Sequence, residues 1–358
     1  MKNARATRQD VAKLAGVSTT TVTNVINNRK NVSDDVKERV RQVMKEIQYK
    51  PNLIARSLIT QQTHHLALLI EDISDLHHSI IVDSFQKEAV KNGYFVSICI
   101  RNDSLEDLFD SFISRGVDGV FMMIAPSQQR DGGFENTLNL IRRLSSNGIK
   151  VVVGFNCYHD IEHFSSLEGD FGGAVASAVE YLVSLGHQHI GLLNIFDKDY
   201  PFDNRYEKFV EAMERNLGVK NPPVILGRTP YPGHIETGEE YTKRLLELHP
   251  EVTAIIGSND MLSIGAVSYL NDNGYHVPGD MSVVSIGDVS ILRYFKPAIT
   301  AMSLNFVEYG KAAFKILLDS IQTGNAHVVL HKLSLHTRAT TAPPPSAAVS
   351  LLHEALSS

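Results

Sequence analysis

From Leu66 onward the chain repeats one pattern: a short apolar run, then a stretch with apolar positions every three or four residues. "LALLIED", the helical stretch 80–92, "YFVSICI", a helix over 105–114, "GVFMMI", a helix over 137–146 and "KVVVGF" form one series. A second series opens near Phe171 with a helix to Leu185. It continues through "HIGLLNI", 204–216, "PVILG", 236–248, "AIIGS", 261–273 and "SVVSIG". Strands separated by helices pair in parallel through crossovers, which places helices on both faces of each sheet. Each series has about the length of one domain, so the expected fold is α/β with two lobes. At 358 residues and 43% apolar content the chain can bury cores of that size.

Doubly wound lobes bind ligands at the carboxyl ends of their strands, so a cleft between two of them is the natural site. The strand-end segments are "EDISDLHH", "GFN", "SND" and "IGD". No phosphate-binding glycine signature follows the first strand, and "GDFGGA" lacks the dinucleotide spacing. A nucleophile elbow, paired catalytic carboxylates and a metal-ligand spacing are all missing from the sequence, so neither an enzyme nor a cofactor or metal is expected. His77 and His78 read equally as solvated residues at a helix start. Cys99 and Cys157 provide no disulfide framework, which suits a reducing cytoplasm. "MKNARATRQD" has no apolar core of an export signal, and no run approaches the ~18 residues of a membrane span.

Charge divides the chain. Residues 1–62 hold twelve Lys/Arg against five Asp/Glu, a net +7, and the remainder carries −13. A basic head on an acidic body is expected to meet a polyanion through the head alone. Within the head, "TRQD" from Thr7 is a capping box, with Val11 and Leu14 as an apolar face beyond it. Ala12 and Ala15 permit a close helix crossing, Gly16 can end the helix in the left-handed conformation, and Ser18 caps a second helix running to about Asn27. A third begins at Ser33, has Asp34 and Asp35 in its first turn, buries Val36, Val40, Val43 and Ile47, and stops at Lys50-Pro51. The second helix is crowded with β-branched residues that disfavour helices. Thr19, Thr20 and Thr23 should face away from the core, where short hydroxyls let a helix enter a major groove and bond to phosphates or base edges. The competing reading is an ordinary surface helix.

"RQDVAKLAGVSTTTVTNVIN", "VSDDVKERV" and "IQYKPNLIARSL" resemble the headpiece of the lactose/galactose-repressor family of bacterial transcription factors. The resemblance places Thr19, Thr20 and Asn24 at base-reading positions. Thr7, Ser18, Thr23, Asn27, Arg29 and Asn52 complete the candidate DNA-contacting set in the head. Most members carry Arg where this chain has Asn24, and Asn favours adenine where Arg favours guanine. "PNLIARSL" is similar to the family's hinge helix, too short to stand alone in water. Ala55 matches its small contact residue and Leu58 the leucine that wedges into the minor groove, although an inter-domain packing role for Leu58 would look the same.

"RGVDGV", "SLGHQHIGLL", "NRYEKF", "SNDMLSIGA" and "ITAMSLNFVEYGKAA" resemble the same family's periplasmic-binding-protein-like core. The implied division is a helix-turn-helix headpiece over 1–50 and a hinge and linker over 51–62. One lobe comprises 63–163 with 293–323, the other 164–292 with 324–342, and 343–358 is a disordered tail. Chain crossings then fall near Phe164, Arg293 and Gly324. The resemblance assigns an effector contact to Arg205, suited to a carboxylate, phosphate or vicinal hydroxyls, and another to Asn259, with Asp260 as a helix cap. His77, His78, Phe155, Asp288 and Phe306 complete the candidate effector set. Where many members have an acid, this chain has Phe155 and, after the second-lobe strand, Gly287 followed by Asp288. Asp75-Leu76-His77-His78 replaces an Asn-Pro-aromatic-aromatic segment. Fewer acids, two imidazoles and Arg205 together make an anionic effector, a sugar phosphate or sugar acid, the expectation over a neutral sugar.

The function implied is a cytoplasmic, homodimeric repressor of carbohydrate or related catabolic genes. It would bind a near-palindromic operator under control of a small molecule in the cleft. Val349, Leu352 and Leu356 are spaced as in tetramerising tails, but two turns cannot hold a coiled coil unaided. A solute-binding transport protein and an enzyme on a sugar or nucleoside are the other readings. The absent export signal and the absent catalytic motifs count against them.

Overall fold

A computed structural model describes residues 6–26, 32–50, 62–73, 75–101, 104–124, 133–155, 162–200, 203–227 and 234–345. The chain divides into two compact units, residues 1–64 and 65–358.

In the first unit, α1 (Arg8–Ala15), α2 (Thr19–Ile26) and α3 (Asp34–Glu46) enclose a small core of Val11, Ala12, Ala15, Val22, Val25, Val40 and Val43. The capping box forms as expected: Thr7 Oγ1 accepts the Asp10 amide proton and the Thr7 amide donates to Asp10 Oδ2 at 2.8 Å. Gly16 closes α1 at φ 64°, the left-handed region that favours glycine, with its amide bonding back to the last turn. Leu14 departs from expectation. The buried stripe of α1 is centred between Val11, Ala12 and Ala15, so Leu14 turns outward and is 61% exposed.

Among the described residues, the second unit contains two six-stranded sheets. Its elements run β1 (His65–Ile70), α4 (Leu76–Lys91), β2 (Phe95–Ile100), α5 (Leu105–Arg115), β3 (Gly119–Met123), α6 (Phe134–Ser146), β4 (Lys150–Gly154), β5 (Ser165–Gly169) and α7 (Phe171–Ser184). They continue with β6 (Ile190–Leu193), α8 (Arg205–Leu217), β7 (Val224–Ile225), α9 (Ile235–Leu248), β8 (Ala254–Gly257), α10 (Asp260–Asp272) and β9 (Ser282–Gly287). A 3-10 turn at Ser290–Arg293 leads to β10 (Thr300–Ser303), α11 (Phe306–Thr323), β11 (Val328–His331) and β12 (Ser334–His336). One sheet has the order β11-β5-β4-β3-β1-β2 and the other β12-β10-β9-β8-β6-β7. Among the described residues, all pairings are parallel except β10 with β12, an antiparallel edge that the helix–strand alternation did not announce.

The chain changes sheet later than the sequence implied. β5 pairs with β4, Val152 opposite Ser165, so the first crossing follows Gly169 instead of lying near Phe164. β10 pairs with β9, Thr300 opposite Val284, which moves the second from near Arg293 to beyond Ser303. β11 pairs with β5, Val328 opposite Ser166, which moves the third from near Gly324 to beyond His331. The cause is composition: "SSLEG" and "TAMS" are small and polar, and they become strands because neighbouring strands bury them.

Helix α4 also starts earlier than its apolar period. Asp75 accepts the His77 amide at 2.8 Å as an N-cap, which draws Leu76, His77 and His78 into the first turn. Among the described residues, no helix is long and apolar enough to cross a membrane.

Candidate nucleic-acid interface and interlobe cleft

On the first unit, α2 is held by Val22 and Val25 inside and by Ser18, whose Oγ accepts the Thr21 amide proton at 3.0 Å. Thr19 and Thr20 are exposed on its outer side, and Thr23 and Asn24 are half-buried beside them. Two of the expected contacts are partly spent. Thr7 uses its hydroxyl in the capping box, and Thr23 Oγ1 donates to the Thr19 carbonyl at 2.9 Å while accepting from Arg8 Nη1 at 3.2 Å. Arg8 was not singled out from the sequence. It is an exposed cation at the start of α1, brought beside the face of α2 by the helix crossing. Asn27, Arg29, Asn52, Ala55 and Leu58 lie outside the described residues.

In the second unit the carboxyl ends of the strands gather the expected cleft residues. Phe155 follows β4 at φ 69°, an unusual conformation for a bulky side chain. Its ring stacks on Tyr309 and lies 6.1 Å from Phe171 and 6.2 Å from His78. Arg205, at the start of α8, is 5% exposed. Its guanidinium sits 4.6 Å from the centre of Phe171 and 5.7 Å from that of Phe196, both cation–π distances. Arg205 Nη1 donates to the Ser258 carbonyl at 3.1 Å, and Nε lies 3.1 Å from the Asp203 carboxylate. Burial pushes the Asp203 carboxyl up, and the Arg205 charge opposes that shift. Phe196 stacks on Tyr200, and Tyr200 meets Phe134 of α6 edge-on at 6.1 Å, an aromatic contact between the lobes.

A second contact between the lobes is ionic. His77 Nε2 lies 2.7 Å from Asp260 Oδ2 and Nδ1 lies 3.0 Å from Asp75 Oδ1. Burial alone would push the His77 imidazole down; the hydrogen bonds and charges of Asp260 and Asp75 outweigh it and push the group up to about 10. The same contacts hold Asp260 and Asp75 below the usual carboxylate range despite burial. Phe306 backs the ring at 4.6 Å between centroids. His77 and His78 therefore stand at a helix start, as one reading had it, but His77 is half-buried between two carboxylates.

Three assignments change. Asn259 caps α10, its Oδ1 accepting the Leu262 amide at 2.9 Å, so the capping expected of Asp260 belongs to its neighbour. Asp260 is fully buried and accepts from Ser285 Oγ at 2.6 Å and from the Asp288 and Val289 amides. Asp288 turns its carboxylate, 1% exposed, to Arg338 Nη2 at 2.6 Å and His336 Nδ1 at 2.8 Å, so it ties the end of β9 to β12 and the chain just beyond it instead of facing an effector. The anionic expectation also loses most of its basis: of the three groups it counted, His77 faces Asp260 and Asp75, Arg205 faces Asp203, and His78 Nδ1 lies 2.9 Å from the Asp72 carbonyl. Among the described residues, no group of three or more His, Cys, Asp or Glu could hold a metal ion.

Comparison with known proteins matches residues 7–52 to a family described as bacterial regulatory proteins, lacI family, and residues 179–341 to a periplasmic binding protein-like domain. The chain is 31% identical over 322 residues to the HTH-type transcriptional repressor PurR of Haemophilus influenzae (strain PittEE), covering 88% of this chain and 91% of that protein. A PurR of Mannheimia succiniciproducens is 29% identical over 320 residues, covering 88% of this chain and 92% of that protein. Among solved structures, a lac repressor dimer bound to operator and the anti-inducer ONPF matches at a TM-score of 0.76 and 22% identity, over 95% of this chain and all of that one (100%). A complex of the transcriptional regulator CelR with cellobiose matches at 0.67 and 23%, over 94% of this chain and 100% of that one. At these identities the structural matches speak for the fold.

Proposed function

The chain belongs to the lacI family of bacterial regulatory proteins, and from that premise we propose that it is a cytoplasmic, homodimeric repressor whose grip on operator DNA is set by a small molecule in the interlobe cleft. The observation that carries this reading is the pairing, in one chain, of a capped helix-turn-helix presenting Thr19 and Thr20 with a two-lobed core whose strand ends converge on Arg205 and an aromatic wall. Two headpieces would read the half-sites of a near-palindrome, as twofold symmetry requires. A ligand that prefers one arrangement of the lobes changes operator affinity by ~1–3 kcal/mol, about 5- to 150-fold, and the coupling is reciprocal. The regulated genes would serve carbohydrate or related catabolism. The protein is a regulator and not an enzyme.

The cleft geometry favours a neutral, ring-bearing effector. Phe155 and Phe171 offer apolar faces to a sugar ring, and Arg205 is held between two aromatic faces with a carboxylate behind it. A thermal-shift panel of neutral sugars, sugar phosphates and sugar acids tests this. Stabilisation by neutral sugars supports the reading, and a response confined to anions overturns it. The regulator itself is tested by selecting bound duplexes from a random pool and measuring affinity against salt. Several neutralised phosphates require a steep negative log–log slope, and a flat slope would remove the DNA-binding function.

A further inference from the structure

Two residues singled out in the sequence, His77 and Gly287, meet at Asp260. His77 belongs to α4, packed on the first sheet; Asp260 opens α10, packed on the second. The contact joins residues 183 positions apart and spans the cleft. Asp75 fixes the imidazole from its own lobe, Phe306 fills the space behind it, and both ring nitrogens face carboxylates. Neither nitrogen is left to bond an effector, and a ring that donates from both is the imidazolium. Asp260 is equally committed, with Ser285, Asp288 and Val289 donating to it. Gly287 makes room for this: at φ 148° its backbone lies so close that an added Cβ would stand 2.4 Å from Asp260 Oδ2. A side chain at 287 therefore requires the Asp260 carboxylate or the backbone to shift.

We propose that His77 is a positioning residue and not an effector contact: with Asp260 it forms a clasp between the lobes that sets the closed cleft and confines the effector to the aromatic side bounded by His78, Phe155, Phe171 and Arg205. The clasp is built from the chain's own side chains, so closure needs no ligand to bridge the lobes. It rests on the reading of the cleft as the effector site and adds how that site is held. A coupling between sites typically changes affinity 5- to 150-fold, and removing one partner of an ion pair whose other member is fully buried leaves that charge uncompensated.

The experiment is hydrogen–deuterium exchange on the full chain, with no DNA and no small molecule added, for the unmodified protein, His77→Ala, His77→Lys and Gly287→Ala. A clasp predicts that His77→Ala speeds exchange about tenfold not only near residue 77 but across 286–292 on the opposite lobe, where the amides of Asp288 and Val289 donate to Asp260. His77→Lys, which keeps a cation, should restore part of the protection. Gly287→Ala should speed exchange around 75–80 on the other lobe. Acceleration confined to the substituted lobe, or none in folded variants, overturns the proposal. So does failure of both His77 variants to fold, which would make His77 a core residue of its own lobe. Operator affinity of the unmodified protein, measured separately, reports on the regulator reading and is untouched by the fate of the clasp.

Discussion

Tyr309 lies flat against Phe155, ring centroids 4.9 Å apart and planes 13° from parallel, and its hydroxyl accepts the Phe155 amide proton at 2.8 Å. The same hydroxyl donates to the Leu167 carbonyl. One side chain of α11 thus secures the ends of β4 and β5 and holds Phe155 in its left-handed conformation, with its ring against the cleft. Tyr309→Phe keeps the stack and removes both hydrogen bonds. The expected cost is about 1–2 kcal/mol, read as a lower urea midpoint, with effector affinity falling alongside it.

The interlobe ion pair gives core stability a pH profile. The folded-state pKa of His77 is pushed up to about 10 from an ordinary 6.5, so its contribution is complete below about pH 6.5 and is lost as pH rises through 10. Asp260 and Asp75 are held below the ordinary 3.8, so theirs is present above that value and lost on acidification. Melting temperature should therefore decline on the alkaline side in the unmodified protein, and His77→Ala should flatten that limb. An identical alkaline decline in both would place the titration elsewhere.

Arg205 acts by shape as well as charge. Its planar guanidinium sits against Phe171 and Phe196 while facing Asp203, and an ammonium cannot reproduce that contact. Arg205→Lys should leave operator affinity within about twofold and weaken the best ligand of the thermal-shift panel by tenfold or more, a loss of about 1.4 kcal/mol. Arg205→Ala should also lower the melting temperature, because it leaves Asp203 buried without its cation.

Asn24 borders the exposed threonines of α2. Asn24→Arg should shift the preferred base from adenine to guanine at one symmetric pair of operator positions. Sequence selection with each protein checks it, and an unchanged consensus would refute the assignment.

Leu58, outside the described residues, is expected to wedge into DNA only in the specific complex. Leu58→Ala should weaken operator binding by at least tenfold while leaving binding to random duplex nearly unchanged. Equal losses on both would return Leu58 to a packing role.

The sequence alone determined the local architecture, because caps, turns and apolar periods are written within a few residues of one another. The Thr7–Asp10 capping box, the Gly16 stop, the Ser18 cap and the strand–helix alternation all stand where the residues place them. It also picked out the strand-end residues, which follow directly from strand assignments. Tertiary structure decided the partners. Asn259 and Asp260 are adjacent and chemically alike, and only the approach of Ser285, Asp288, Val289 and His77 selects Asp260 as the buried acceptor and leaves the cap to Asn259. Asp288 was an effector candidate until Arg338, fifty positions along the chain, claimed its carboxylate. The polar strands β5 and β10 became strands only because neighbouring strands offered them hydrogen bonds. Charge pairing and strand recruitment depend on distances through space, and a local pattern carries no record of them.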